Sequence, residues 1–338
     1  MSNRPISRRS FLRQINCAAI GTAAVLNTVL NLRMAEALAF ANGSNRKTLV
    51  CLFLNGGCDT VNVLVPREIS RYNAYANSRG AFGSNGGLAL NRNALLPLDA
   101  PAADFGLHPS CVKLHQMATG TGAFAGNKRL SFLANVGTLI QPITKAQFNA
   151  WETGQNAALP VPRALFSHID QVEQWQTAVP QGLQQLTGWA GRAADILHAN
   201  SNLGTSAMNI AFGGNSIFQI GSQTEQLVVS SSGAQSFTGH SGGANNNPLL
   251  LKNAALRSTL EQHYTNLLTD SFARLTRSSD DAQQLFQSIF TSPAAELGPS
   301  VNALFPGGDL SNAMRAAVKT IKIRAELGLT RQTLFINH

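Results

Sequence analysis

The run Thr-Leu-Val-Cys-Leu-Phe-Leu-Asn at residues 48–55 is apolar almost throughout and stops at Gly56-Gly57. A short apolar run bounded by glycines reads as a strand buried on both faces, as in a parallel sheet. A polar loop of Asn, Gly, Ser and Arg follows at 77–93, and His108-Pro109 opens a helical pattern carrying Val112, Leu114, His115 and Met117. Residues 129–136, Arg-Leu-Ser-Phe-Leu-Ala-Asn-Val, read as a second buried strand. Strand, loop, helix, strand is the order of a βαβ unit, so the expected class is α/β: a doubly wound, mainly parallel sheet flanked by helices. Later strands are expected at 207–212, 226–230 and 329–337. Helices are expected after Ser167, at 188–197, over most of 248–290 and at 315–327, with a long Ser/Gly/Asn loop at 230–247.

Upstream of the first strand, Ser7-Arg8-Arg9-Ser10-Phe11-Leu12-Arg13 sets two adjacent arginines ahead of a Phe-Leu pair, and a mildly apolar stretch runs over 17–32. This is the order of a twin-arginine export signal. The stretch contains Thr22, Asn27, Thr28 and Asn31 and falls short of the roughly 20 apolar residues a spanning helix needs, so no stable transmembrane anchor is expected. Ala35, Ala37, Ala39 and Ala41 offer cleavage sites, and the cut is placed after Ala39 or Ala41. Residues 1–41 are thus read as a signal peptide with the twin-arginine translocase as its partner, and the remainder as a protein of the periplasm or the extracellular space. Gln14-Ile15-Asn16 ahead of Cys17 lacks the small residue that lipidation requires.

The signal carries five of the 26 basic and one of the 17 acidic residues, which leaves 21 minus 16, a net charge near +5. That balance is modest, and no basic run interleaved with aromatics occurs after the signal, so nucleic acid is not an expected partner. Cys51 lies in the first apolar run as a small core residue. A Cys58–Cys111 disulfide is allowed by the compartment without being fixed by the sequence. No C-x-x-C pair offers a thiolate zinc site.

Two places can carry chemistry. Asp59 follows the first strand on a glycine turn, where a carboxylate can hold a divalent metal; the same residue can instead bond its own backbone in the turn. Ser167 stands where a helix begins, so its hydroxyl can attack an ester anion held by free N–H groups. It can equally be the cap of that helix, with Asp170 three residues on as the partner in a capping box. His168 is a candidate acid–base group and Asp170 a candidate metal ligand, while His108 before Pro109 orients a turn.

Several of these segments together match one family. Leu54-Asn55-Gly56-Gly57-Cys58-Asp59-Thr60-Val61-Asn62 with Val65-Pro66, then Leu107-His108-Pro109, Asn135-Val136-Gly137, Ser167-His168-Ile169-Asp170-Gln171 and Gly188-Trp189-Ala190-Gly191-Arg192 follow in order. In this the chain resembles the DUF1501 proteins, exported bacterial proteins of the alkaline phosphatase and sulfatase-like superfamily. The resemblance implies a doubly wound α/β core with a metal-assisted phosphoric or sulfuric ester hydrolase site at the strands' carboxyl edge. Asp59 and Asp170 would serve there as metal ligands, with Ser167 as nucleophile and His168 beside it. Members of the family run on past the strand seen here at 332–338 into a Gly-Gly turn with Asp and His, a Ser-Glu-Phe-Gly-Arg-like segment and an Asp-His-Gly segment. None of these follows in this sequence. The expectation is therefore a C-terminally truncated or degenerate relative with an incomplete hydrolase site, and the alternative is a non-catalytic envelope binding or assembly protein.

Overall fold

The computed structural model describes residues 46–134, 136–181, 187–202, 207–235 and 247–338. The expected signal at 1–41 and most of the expected loop at 230–247 lie outside the described residues. In chain order the elements are β1 (Lys47–Phe53), β2 (Leu64–Pro66), α1 (Ile69–Arg79), β3 (Leu96–Pro97), β4 (Phe105–Leu107), α2 (Val112–Thr119), α3 (Lys145–Glu152), α4 (His168–Thr177) and α5 (Trp189–Ser201). They continue with β5 (Asn209–Phe212), β6 (Gln226–Ser230), β7 (Gly233–Ala234), α6 (Asn247–Glu261), α7 (Leu267–Phe290), α8 (Pro299–Asn302), α9 (Asp309–Lys322) and β8 (Arg331–Asn337). The chain divides into two compact units, residues 56–136 and a larger one that joins β1 to residues 137–338.

The larger unit is α/β. Its five-stranded sheet has the order β1-β8-β5-β6-β7, parallel throughout except for β7, which runs antiparallel to β6. Successive side chains of a strand point to opposite faces, and β8 shows what this does. Leu334 and Ile336 enter a core with Ile210, Phe212, Phe286 and Phe290 of α7, and Ala316 and Ala317 of α9. Phe335 faces the other way, into Phe218, Ala190 of α5 and Trp175 of α4. Helices thus cover both faces. The second core is an aromatic stack: Phe53 lies on Trp175 at 5.1 Å, Trp175 on Phe218 at 5.6 Å, and Trp189 meets Phe218 edge-on at 4.6 Å. At its ends α9 carries Asp309 in the first turn and Lys319 and Lys322 in the last, each sign matching the helix dipole.

Three expectations change. The apolar run that forms β1 is not buried on both faces, because among the described residues β1 pairs only with β8 and lies at the sheet's edge; Val50 and Leu52 are each 41% exposed. Residues 129–136 form no strand among the described residues, with Leu133 90% and Val136 69% exposed. Their composition favours extension, but a strand exists only where a neighbour supplies the ladder, and no such neighbour is present among the described residues. The β8–β1 and β8–β5 ladders, rather than an early βαβ unit, make the parallel sheet. The helix expected at 315–327 begins earlier, at Asp309, and the turn at Gly328, with φ of 70°, reverses the chain into β8.

The smaller unit is a three-stranded antiparallel sheet of order β2-β4-β3 with α1 packed on it, around Val65, Tyr75, Ala76, Ala89 and Leu95. α1 falls partly in the stretch read as polar loop. Glu68 caps it, accepting from Ser70 N and Arg71 N, and these bonds hold its carboxyl at about 2. Tyr75 donates to Asn62 Oδ1 at 2.5 Å and accepts from Leu90 N at 2.8 Å, joining three segments within this unit. Cys51, Cys58 and Cys111 are all free thiols. Burial pushes the Cys51 thiol up to about 11, so it stays protonated and serves as core.

Candidate functional site

Asp59 sits in the smaller unit at the start of a short 3-10 turn. Its carboxylate is ion-paired with Arg79 and accepts a hydrogen bond from Asn62 Nδ2 at 2.9 Å. The carboxylate does not bond its own turn's backbone as expected of a turn-forming Asp; it is spent instead on the Arg79 and Asn62 side chains.

Ser167 is the N-cap of α4. Its Oγ accepts from Asp170 N at 3.4 Å and donates to Asp170 Oδ2 at 2.5 Å, while Arg163 donates to Asp170 Oδ1 at 2.8 Å. The Ser167 hydrogen bond, with Arg163 behind it, holds the Asp170 carboxyl below its ordinary range. Ser167 caps the helix as expected, but the capping box does not close, because the Asp170 carboxylate takes the Ser167 hydroxyl while the Ser167 N–H donates to the Ala164 carbonyl. His168 is exposed and makes no side-chain hydrogen bond among the described residues. Just ahead of this cap, Ala164 and Phe166 adopt φ of 47° and 75°, the left-handed region that costs a bulky residue energy. His108 does what was expected of it: its Nδ1 accepts from Ser110 N at 3.0 Å in a turn.

Each carboxylate put forward as a metal ligand is thus already paired with an arginine. Among the described residues no three His, Cys, Asp or Glu side chains come together in a way that would hold a metal ion. The donor set does not fit the group that the resemblance implies.

The larger unit instead offers a cleft that the sequence reading passed over. It opens at the carboxyl ends of β5, β6 and β8, where ligands bind in open parallel sheets, and has a volume of about 410 Å³. The turn Gly213-Gly214 after β5 forms one wall with φ of 96° and 106°, and a Cβ on Gly213 would stand 2.5 Å from the Asn337 carbonyl oxygen. Only glycine lets these two chains run so close. The first turn of α9 forms another wall; its N-cap is Gly308, which supplies no side-chain cap. Ser230, Ser231, Gln235, Asp309, Asn312, Asn337 and His338 present polar groups, and among the described residues no Lys or Arg lines the cleft. The glycine pairs at 213–214 and 307–308, one after an apolar strand and one before an amphipathic helix, were the available signals.

The Gly188-Trp189-Ala190-Gly191-Arg192 segment is structural. Arg192 donates to the carbonyls of Thr187 and Thr177, and Trp189 packs on Phe218. Three residues further along α5, Asp195 clamps the loop before β6: it accepts from Ser222 N at 2.7 Å, Gln223 N at 3.0 Å, Thr224 N at 2.8 Å and Thr224 Oγ1 at 2.8 Å. Burial pushes the carboxyl up, but the four hydrogen bonds outweigh it and the folded value lies below the ordinary one. Such a group stabilises the fold fully above its unfolded value of about 3.9, and the contribution is lost as pH falls through the folded value. Replacing Asp195 with Asn should therefore destabilise the protein at neutral pH and narrow its gap to the parent at about pH 3. Urea melts at the two pH values check this, and an equal gap at both would show that the charge does not matter.

No protein-family model, curated protein or solved structure matches the chain. The likeness to DUF1501 proteins rests on the motifs alone.

Proposed function

We propose that the chain is an exported binding protein built on a sulfatase-like α/β core, which holds a small ligand at the carboxyl edge of its sheet and does not hydrolyse esters. The observation that carries this reading is the division of labour among polar groups. The residues suited to hydrolysis are spent on structure, Asp59 on Arg79 and Ser167 on Asp170, while the cleft past β5, β6 and β8 sets several polar side chains among apolar ones. The twin-arginine motif at 7–13 supports export to the periplasm or beyond, with the translocase as partner in transit and an envelope protein as a further partner. No helix among the described residues is long and apolar enough to cross a membrane.

A second reading, a metal-dependent phosphoric or sulfuric ester hydrolase using Asp59, Ser167, His168 and Asp170, has one observation in its favour. The positive φ of Phe166 puts backbone strain directly before Ser167, and such strain gathers at functional turns. The two readings part in one experiment. The chain purified after export is assayed for bound divalent metal and for turnover of aryl phosphate and aryl sulfate esters, beside Asp59→Ala and Ser167→Ala. The expected result is no stoichiometric metal and no turnover in folded protein. Metal and turnover that disappear in both variants would overturn the binding reading and establish the hydrolase.

A further inference from the structure

We infer that the carboxyl-edge cleft is a saccharide site, shaped for a free or chain-terminal disaccharide with no charge of its own. The inference rests on the binding reading above and names its ligand. Three features of the cleft converge on it.

The first is unspent hydrogen-bonding capacity. The side chains of Ser231, Gln235, Asp309 and Asn312 line the cavity and make no hydrogen bond among the described residues. Asn337, beside them, has an Oδ1 that is buried and accepts no hydrogen bond. A buried acceptor left unmet is costly, and a small turn of that side chain would let a ligand hydroxyl satisfy it. Elsewhere in this unit Asp195 is committed to the loop at 222–224 and Asn209 to Thr333 and the Gln219 carbonyl, although Gln174, Gln219, Gln283, Gln287 and Gln332 each keep one buried atom without a partner among the described residues. The cleft brings a group of uncommitted side chains together at the place where a parallel sheet takes ligands.

The second is the type of group. An amide or a hydroxyl both donates and accepts, and so does each hydroxyl of a sugar, so amides and serines pair with vicinal hydroxyls in either sense. The Asp309 carboxylate accepts only, and can take two hydroxyl donors at once. The lining holds that carboxylate and, among the described residues, no Lys or Arg, so a phosphate or sulfate ester would find only the His338 side chain and the α9 N-terminus to offset its charge. The ligand is one that needs many neutral hydrogen bonds and brings no negative charge.

The third is shape. A volume of about 410 Å³ is near the lower end of small-molecule sites and suits one or two sugar rings rather than a nucleotide or a peptide. Val228 and Ala313 give the wall an apolar strip against which the C–H face of a ring can lie. The glycine turn at 213–214 lets the ligand approach the backbone without meeting a Cβ.

The test is isothermal titration of the exported chain with maltose, cellobiose and N,N′-diacetylchitobiose, with a sugar phosphate alongside. One of the neutral disaccharides should bind with a Kd in about the millimolar range or below. Asn312→Ala and Gln235→Ala should each weaken it at least about tenfold while their melting curves stay with the parent's. Retention on amylose or chitin, released by the matching disaccharide, identifies a chain end as the source; heat from the disaccharide without retention identifies the free sugar. No heat from any neutral disaccharide in folded protein sinks the proposal, as does binding that neither variant changes. Binding of the sugar phosphate alone rejects the ligand class and leaves the cleft as a binding site. Ester turnover rejects instead the reading on which the proposal stands.

Discussion

Gly191→Ala should lower the stability of the protein by about 3 kcal/mol, a cost at the upper end of what overpacking a core exacts. Gly191 lies on α5 where that helix crosses the turn at 217–220. A Cβ there would stand 2.1 Å from the Ile220 carbonyl carbon and oxygen and 2.4 Å from Gly221 N. These are backbone atoms, so no side-chain rotation relieves the clash and the whole helix must move. Movement would in turn pull Trp189 off Phe218 and Asp195 off its loop. At roughly 2–4 °C per kcal/mol for a unit of this size, the melting temperature should fall by about 6–12 °C. Gly188→Ala meets the same obstacle at the Ile217 carbonyl oxygen, 2.1 Å away, and should behave alike. Differential scanning fluorimetry on both variants is enough, and a fall under about 2 °C would show that the helix can slide at little cost. The glycines of this motif thus have a packing reason that owes nothing to a ligand.

The second large effect lies in the middle of the sheet. Gln219 Nε2 donates to Ile210 O at 3.3 Å, Thr333 O at 3.1 Å and Thr333 Oγ1 at 3.0 Å. Thr333 Oγ1 donates on to Asn209 Oδ1 at 2.6 Å, and Asn209 Nδ2 donates back to the Gln219 carbonyl at 2.9 Å. The ring joins β5 and β8 to the turn that follows β5, and all three side chains are buried. Gln219→Ala leaves several acceptors dry and opens a cavity. Unmet buried groups cost about 1–3 kcal/mol and the cavity adds to that, so a total of about 3–4 kcal/mol is expected. Gln219→Leu, which restores volume without bonds, should recover only the cavity part. Chemical denaturation of the pair separates the two contributions. If the Leu variant matched the parent, the ring would be shown to add nothing net.

Much of the larger unit could be read ahead of the structure, and the reasons are local. The strands β5, β6 and β8 are short apolar runs between turn residues, and the Ser167 cap is written in its three-residue spacing to Asp170. What could not be read is which strands become neighbours. The burial of β1 was overestimated because an apolar run does not say whether it will have one partner or two. Residues 129–136 were read as strand because their propensity is real, and propensity does not supply a ladder. The cleft was missed for a related reason. Its walls come from residues 212–214, 228–235, 309–313 and 337–338, which the sheet order alone brings together. Asp59 and Ser167 drew attention because each sits in a compact motif, whereas Asn312 and Gln235 belong to none.

The position of β8 carries a consequence for how the molecule comes into being. It is the last of the described strands and stands between β1 and β5, with Lys47 opposite Arg331 and Asn209 opposite Thr333. Until β8 leaves the ribosome, β1 has no neighbour and the β5–β6 pair has one bare side. Pairing Lys47 with Arg331 must then close a loop of 331 minus 47, or 284 residues, a slow step where distant pairings dominate. Until β8 arrives, Ile210, Phe212, Phe286 and Phe218 lack the Leu334, Phe335 and Ile336 side chains that complete their cores, and the half-built sheet is open to wrong partners.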